Sequence, residues 1–186
     1  MFLRKTQIIV FIFILFISHA STAEPLDTIL QGVDGKRYAL SDYIGKGKWL
    51  VLNVWGTACP YCRAELDALI DFHELHHQKD AMVMGLTLDW PTFEYPDKEQ
   101  LSEFILDYFI EYPVLMVDAK LAGEVIGKKV DMIPITFFYN PAGELVLRLN
   151  GVVTITQLEK IIKDDRSGYQ IEWTDVVPPE FKQDKN

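Results

Sequence analysis

The sequence predicts an α/β domain built on a central mixed β-sheet flanked by helices. Three observations predict it. Trp49–Trp55 (WLVLNVW) and Ala81–Leu88 are nearly continuous apolar runs. A strand without polar alternation is covered on both faces, as in the middle of an α/β sheet. Between them, residues 59–77 place Cys62, Leu66, Leu69, Ile70 and His73 at helical spacing, the pattern of a helix laid on a sheet. Further on, Ile135–Tyr139 and Glu144–Leu149 flank Asn140-Pro141-Ala142-Gly143, a hairpin turn between two more strands.

The other elements follow in chain order. Residues 32–42 hold Asp34-Gly35, a turn signal between short strand-like pieces, which predicts an N-terminal hairpin. Ile44–Lys48 reads as a loop rich in glycine and lysine, and Pro91–Pro96 as a second loop. Lys98–Ile110 reads as a helix with Leu101, Ile105, Leu106 and Phe109 on one side. Val114–Val117 is a short strand, followed by a short helix to about Ile126. Thr154 caps a final helix running to about Lys163. Residues 164–186 form a polar tail bearing Trp173, Pro178, Pro179 and Phe181.

The chain divides into a leader (1–23), a domain (24–163) and that tail. Arg4 and Lys5 precede ten apolar residues, Ile8–Ile17, and the small residues Ser18, Ala20, Ser21 and Ala23 follow. A basic start, a short apolar run and small residues form a secretory signal with cleavage after Ala23. The run is too short to span a bilayer, which needs about 20 residues. An uncleaved anchor, with the run extended to Ala23, is the alternative. Either way the domain lies outside the cytoplasm, in the periplasm or otherwise exported, and touches membrane only if the leader is retained.

The whole chain carries a formal net charge of −9, with 49% hydrophobic and 24% charged residues. One core of ordinary size fits that length and composition. The acid excess excludes the basic face that nucleic-acid binders carry. Removing the leader takes away Arg4 and Lys5 and no acid, which makes the domain more acidic still and disfavours anionic lipid.

Two cysteines are too few for a disulfide scaffold or a four-cysteine zinc site. They sit three apart, in Cys59-Pro60-Tyr61-Cys62, where a buried strand gives way to a helix. A thiol at a helix N-terminus meets unpaired backbone N–H groups and the positive end of the dipole. Both favour the thiolate, which is the nucleophile. Cys59 comes first and is the expected attacker, and Cys62, one turn deeper, would resolve the mixed disulfide. Pro60 suits a first helical turn, where its missing N–H has no partner to lose. The bland alternative is an inert local disulfide, which would stabilise little because the loop it closes is so short.

Val54-Trp55-Gly56-Thr57-Ala58-Cys59-Pro60-Tyr61-Cys62-Arg63-Ala64-Glu65 resembles the active-site segment of the thioredoxin superfamily, and is most similar to its exported TlpA/ResA-like branch. The resemblance covers about residues 26–163. Asp34-Gly35-Lys36 with Leu40-Ser41-Asp42 resembles that branch's N-terminal hairpin. Phe104-Ile105 through Tyr112-Pro113-Val114-Leu115 resembles its inserted βα element. Ile133-Pro134-Ile135-Thr136-Phe137 resembles the superfamily's cis-proline segment, and Gly143-Glu144-Leu145 with Asn150-Gly151 resembles the closing hairpin. The resemblance implies a thioredoxin-like fold, a thiol–disulfide oxidoreductase, and no cofactor beyond the Cys59–Cys62 pair. It implies that Pro134 is cis and packed against the cysteines, and that Ile133 offers backbone groups to an extended substrate. Tyr61 would sit exposed at the docking surface, and Trp55 would pack beneath the site, either as site support or as a plain core residue.

Two positions depart from the pattern. The buried aspartate of thioredoxin is Asn53 here, and Ala58 replaces the aromatic usual before the first cysteine. Glu65 supplies a different acid: it lies three residues beyond Cys62, on the same helix face. The CRxE pattern resembles the TlpA/ResA-like branch, where a glutamate sits near the cysteines. Glu65 is therefore a candidate partly buried proton acceptor for Cys62, with a raised pKa. A solvated helix glutamate is the alternative.

His73-Glu74-Leu75-His76-His77 matches the H-E-x-x-H zinc signature. It lies about 20 Å along the helix from Cys59, no third ligand is evident, and packing on the apolar stripe accounts for His73. No metal site is assigned.

Two classes of function compete. The first is an enzyme that exchanges electrons with protein disulfides. In the reductase direction, which the resemblance favours, a membrane thiol donor recharges it, and substrates include apocytochrome c or copper-site proteins. A DsbA-like oxidase or isomerase runs the cycle the other way. The second is a Cu(I)-handling module, since thiolates suit a soft ion. Copper chaperones on this fold add a distal histidine, and no histidine follows Leu88 here. A peroxidase is weaker still, because Thr57 stands two residues before Cys59 where that pattern needs three.

Overall fold

The computed structural model describes residues 27–89, 97–164 and the backbone of 173–175. The leader, the 91–96 loop and the rest of the tail lie outside the described residues. Strand β3 (Trp49–Trp55) is buried at every position, as its unbroken apolar run requires. It pairs in parallel with β4 (Ala81–Thr87) and antiparallel with β6 (Ile135–Tyr139). β4 in turn pairs in parallel with β5 (Val114–Met116). The hairpin β1 (Ile29–Gly32) and β2 (Arg37–Ala39) joins the far side of β5. On the other side, β7 (Leu145–Asn150) pairs with β6, and β8 (Trp173–Asp175) adds to β7 in parallel. The described strands thus form one eight-stranded sheet in the order β2-β1-β5-β4-β3-β6-β7-β8. The tail gives its own strand to the sheet at β8, a placement that its polar composition did not reveal.

Alternation along β3 sorts its side chains between two apolar layers. Leu50, Leu52 and Val54 join the layer with Leu86, Phe137 and the helix α4 (Ala119–Val125). Trp49, Val51 and Trp55 join the opposite layer with Leu66, Leu69 and Phe72 from the active-site helix and Leu158 and Ile161 from α5 (Ile155–Lys163). Asn53 occupies that second face, an amide in the middle of an apolar stripe.

The helices start where the sequence predicts. Asp118 caps α4, and Thr154 caps α5 in a reciprocal box with Gln157. Two helices differ in extent. The predicted helix over 59–77 is two: α1 (Pro60–Ala64) and α2 (Leu66–His76), interrupted at Glu65. The helix over 98–110 is α3 (Lys98–Asp107), which stops early. Phe109 turns left-handed (φ 55°), and the Ile110 N–H reaches back to the Ile105 carbonyl at 3.0 Å, closing the helix end in a 6→1 bond. That position normally holds glycine or asparagine, so Phe109 gave no stop signal. Leu106, on the solvent side of α3, and Phe109, at the left-handed turn, point outward, 72% and 79% exposed. The buried side carries Leu101 and Ile105, as the sequence predicts, with Phe104 packed beside them.

Gly85 of β4 lies beside Asn53 in register. A Cβ there would stand 2.8 Å from the Trp55 indole nitrogen and 3.4 Å from the Tyr112 ring. Gly85→Ala is expected to destabilise the domain by about 1–3 kcal/mol through overpacking, measured by urea unfolding. An unchanged midpoint would show that Trp55 can move away freely.

Candidate active site

β3 ends at Trp55, and the chain turns through Gly56-Thr57-Ala58 into α1. Cys59 is the helix N-cap, with extended backbone angles, and Pro60 takes the first helical position. The Cys59 and Cys62 sulfurs form a disulfide, with the Cα atoms 5.2 Å apart. The Cys62 N–H donates to Cys59 Sγ at 3.1 Å, so the outer sulfur faces the open end of the helix backbone. Cys59 is half-buried and Cys62 fully buried, which leaves Cys59 as the sulfur an incoming group can reach. Beside it, Ala58, Pro60 and Tyr61 are exposed. The Ile133–Pro134 peptide bond is cis, and the Ile133 carbonyl oxygen lies 3.9 Å from Cys59 Sγ. Trp55 is fully buried against Phe104 and belongs to the same apolar cluster as Cys62.

Glu65 sits at the break between α1 and α2 and is 1% exposed. The side chain is wholly buried, where the sequence suggested partial burial. Its carboxylate accepts the Asn53 side-chain amide at 2.8 Å and the Val153 N–H at 2.9 Å. Asn53 also donates to Thr136 Oγ1 at 3.0 Å. Burial disfavours the charged form and pushes the Glu65 pKa up to about 8, while these two hydrogen bonds hold it back. Beneath it, Tyr112 is fully buried, and desolvation together with the nearby Glu65 charge raises its pKa. Among the described residues, Asn53 Oδ1, Trp55 Nε1 and Tyr112 OH find no hydrogen-bond partner.

Sequence reasoning placed Cys59, Cys62, Glu65, Trp55, Pro60, Tyr61, Ile133 and Pro134, and the fold brings all eight to one end of the sheet. It missed the roles of Asn53, Thr136 and Val153 in holding Glu65. In the sequence Asn53 stands out only as the position of thioredoxin's buried aspartate. The signal for more was there: a polar residue on the inner face of a buried strand must find partners. His73 and His77 do not approach the cysteines. The His73 Nδ1 accepts the Val83 N–H at 3.1 Å, its ring stacks on His77, and burial lowers its pKa to about 4. These contacts match a packed core histidine.

A redox-active pair at a helix N-terminus, on a sheet of this order and beside a cis-proline loop, defines the thioredoxin-like disulfide exchangers. The comparisons with known proteins agree. A family model described as the AhpC/TSA family matches residues 23–148, and the chain belongs to that family. It is similar to the thiol-disulfide oxidoreductase ResA of Oceanobacillus iheyensis, at 30% identity over 140 residues, 75% of this chain and 67% of that one. A solved DsbF homologue from Corynebacterium diphtheriae is 27% identical with a TM-score of 0.59, covering 74% of this chain and 83% of that one. An exposed lipoprotein thioredoxin from Streptococcus pneumoniae is also 27% identical, with a TM-score of 0.61 and coverage of 74% and 98%. The protein is therefore a thiol–disulfide oxidoreductase of the ResA and DsbF type, with Cys59 and Cys62 as its CxxC pair.

The raised Glu65 pKa has a defined consequence for stability. Between the ordinary value of 4.5 and about 8, the folded protein keeps a proton that the unfolded chain has released. This contribution is complete at low pH and is lost as pH rises through that window, by a few kcal/mol at most. Relative to Glu65→Gln, where nothing titrates, the urea midpoint of the oxidised wild type is expected to fall from about pH 5 to about pH 8.5. Parallel pH profiles for the two proteins would contradict the buried-acid geometry. Asn53→Ala removes a donor to the charged form, so the Glu65 carboxyl should titrate about one unit higher in carbon-13 NMR.

Proposed function

We propose that the protein is an exported protein-disulfide reductase in which Cys59 attacks, Cys62 resolves and Glu65 accepts the Cys62 proton. The observation that carries this reading is the Glu65 carboxyl, fully buried three residues beyond the buried Cys62, a burial that favours its protonated form. A carboxyl whose pKa is raised to about 8 can take up or release a proton near neutral pH. In the cycle, the Cys59 thiolate attacks a substrate disulfide and one substrate sulfur leaves as a thiolate, taking a proton from water. Cys62 gives its proton to Glu65 and attacks Cys59 Sγ. The second substrate sulfur departs and takes the proton from Glu65, leaving the substrate reduced by two electrons and the Cys59–Cys62 disulfide formed. Ile133 presents its backbone at the rim, where an extended substrate segment can pair, and Tyr61 and Met132, 48% and 52% exposed, flank the approach.

Export rests on the leader pattern in residues 1–23, and the pneumococcal relative is itself described as an exposed lipoprotein. A reductase outside the cytoplasm needs a membrane thiol donor to recharge it. Its substrates would be protein disulfides, in cytochrome c maturation or in keeping metal-site thiols reduced.

The equilibrium reduction potential of the Cys59–Cys62 pair, measured in a glutathione series, tests the direction. A value at or below about −270 mV is expected for a reductase, and one at or above about −150 mV would instead assign disulfide formation or isomerisation. In the same protein, Cys62→Ala should accumulate mixed disulfides through Cys59, and Cys59→Ala should accumulate none. Trapping through Cys62 instead would reverse the roles given to the two sulfurs.

A further inference from the structure

A second buried carboxylate lies on the Cys59 side of the site. β4 ends at Thr87, but its ladder continues: the Leu88 N–H donates to the Trp55 carbonyl at 3.0 Å. The chain is thereby carried across the end of β3, and Asp89 arrives beneath the turn that leads to Cys59. Asp89 is 2% exposed. Both of its oxygens accept the Thr57 N–H, at 3.1 and 2.9 Å, and Oδ2 also accepts the Thr87 hydroxyl at 2.7 Å. Thr57 is itself buried. The turn closes on its other edge with the Cys59 N–H donating to the Gly56 carbonyl at 3.2 Å. Space around the turn is tight: a Cβ on Gly56 would meet Asp89 Oδ1 at 3.2 Å and Ile133 Cδ1 at 3.5 Å.

We propose that Asp89 is a positioning residue for the attacking sulfur: by gripping the Thr57 N–H it fixes the Gly56–Cys59 turn, and so the placement of Cys59 Sγ. The inference rests on the reading of Cys59 as the attacker and is independent of whether the enzyme reduces or oxidises. Cys59 Sγ makes two short-range contacts that need that placement, the Cys62 N–H at 3.1 Å and the Ile133 carbonyl at 3.9 Å. The N–H contact favours the thiolate, so displacing the turn lowers reactivity without touching either cysteine. A carboxyl side chain suits the task because its two oxygens can accept from the Thr57 N–H and the Thr87 hydroxyl at once. Thr87 orients the carboxylate from its own strand, so the grip does not depend on the exposed surface.

The test is the rate at which iodoacetamide alkylates each cysteine in the reduced full chain, read by peptide mass spectrometry, with circular dichroism to confirm folding. Asp89→Ala is expected to slow alkylation of Cys59 about tenfold, the scale of one lost charge-assisted hydrogen bond. Asp89→Asn, whose Oδ1 still accepts from Thr57, should restore the rate to within about threefold of wild type. A purely structural role would lower the unfolding midpoint in both variants and leave the rate in the folded protein unchanged. A folded Asp89→Ala that alkylates at the wild-type rate overturns the proposal. Should that variant fail to fold, Thr87→Val decides, since it keeps the strand and removes the hydroxyl that orients Asp89. A slowing of about threefold or more supports the grip, and the wild-type rate overturns it. Faster alkylation of Cys62 than of Cys59 in the wild type would instead overturn the assignment of the attacking sulfur.

Discussion

The burial of the Glu65 carboxylate is the constraint around which the rest of the site is arranged. An acid taken out of water must be neutral, paired or well hydrogen-bonded. Here it receives two donors from widely separated parts of the chain: Asn53 in β3 and the Val153 backbone just before α5. Glu65 therefore ties the central strand, the active-site helix and the last helix to one point. The helix gives way there to permit it. At the junction Glu65 is the C-cap of one helix and the N-cap of the next, with φ −102° and ψ −5°. A continuous helix would carry its side chain along the cylinder surface. The interruption lets the carboxylate enter the core beside Cys62.

Asn53 is what makes that entry compatible with an apolar face. An amide carries a donor and an acceptor on one rotor. In the structure its donor is shared between Glu65 and Thr136, which lies opposite it in register on β6. A carboxylate at position 53 would face Glu65 with a like charge and could donate to neither partner unless protonated. The replacement of the superfamily's buried aspartate by asparagine and the presence of an acid at position 65 are thus two halves of one arrangement. The ionisable group has moved from the strand to the helix, and the strand keeps a neutral holder.

Much of this was legible in the residues. The unbroken run in Trp49–Trp55 gave a central strand because only a strand covered on both faces tolerates it. Cys59-Pro60-Tyr61-Cys62 gave the chemistry because a thiol pair at a strand-to-helix junction has one outstanding use. Glu65 was found by helical spacing, although the helix breaks at that very residue. The spacing argument reached the right side chain, since α1 is helical from Pro60 to Ala64 and the break comes only at Glu65 itself. What stayed hidden was long-range. Nothing in the local sequence says that Val153 will donate to Glu65, 88 residues away, or that Asp89 will reach under Thr57. The α3 end was misread for a different reason. Leu106 and Phe109 are apolar and at helical spacing, yet Leu106 lies on the solvent side of α3 and Phe109 in the left-handed turn that ends it.

Topology explains why so many of these groups converge. β4 runs parallel to β3, so its C-terminal end lies beside the C-terminal end of β3, with Thr87 opposite Trp55. β6 runs antiparallel to β3, so its N-terminal end arrives at the same place, with Ile135 opposite Val54. The turn into the active-site helix is therefore flanked by the exit of one neighbour and the entrance of the other. The exit delivers Asp89 and the entrance delivers Ile133 and Pro134, and Asp89 and Ile133 both close in on Gly56. A sheet parallel throughout would bring only strand exits to this edge, and a loop entering a strand could not stand next to the cysteines. The change of strand direction at β3 is what allows one short turn to be held from below by a carboxylate and faced by a backbone carbonyl. Cys59 then needs no flexible element to place it, because its position follows from the register of three paired strands.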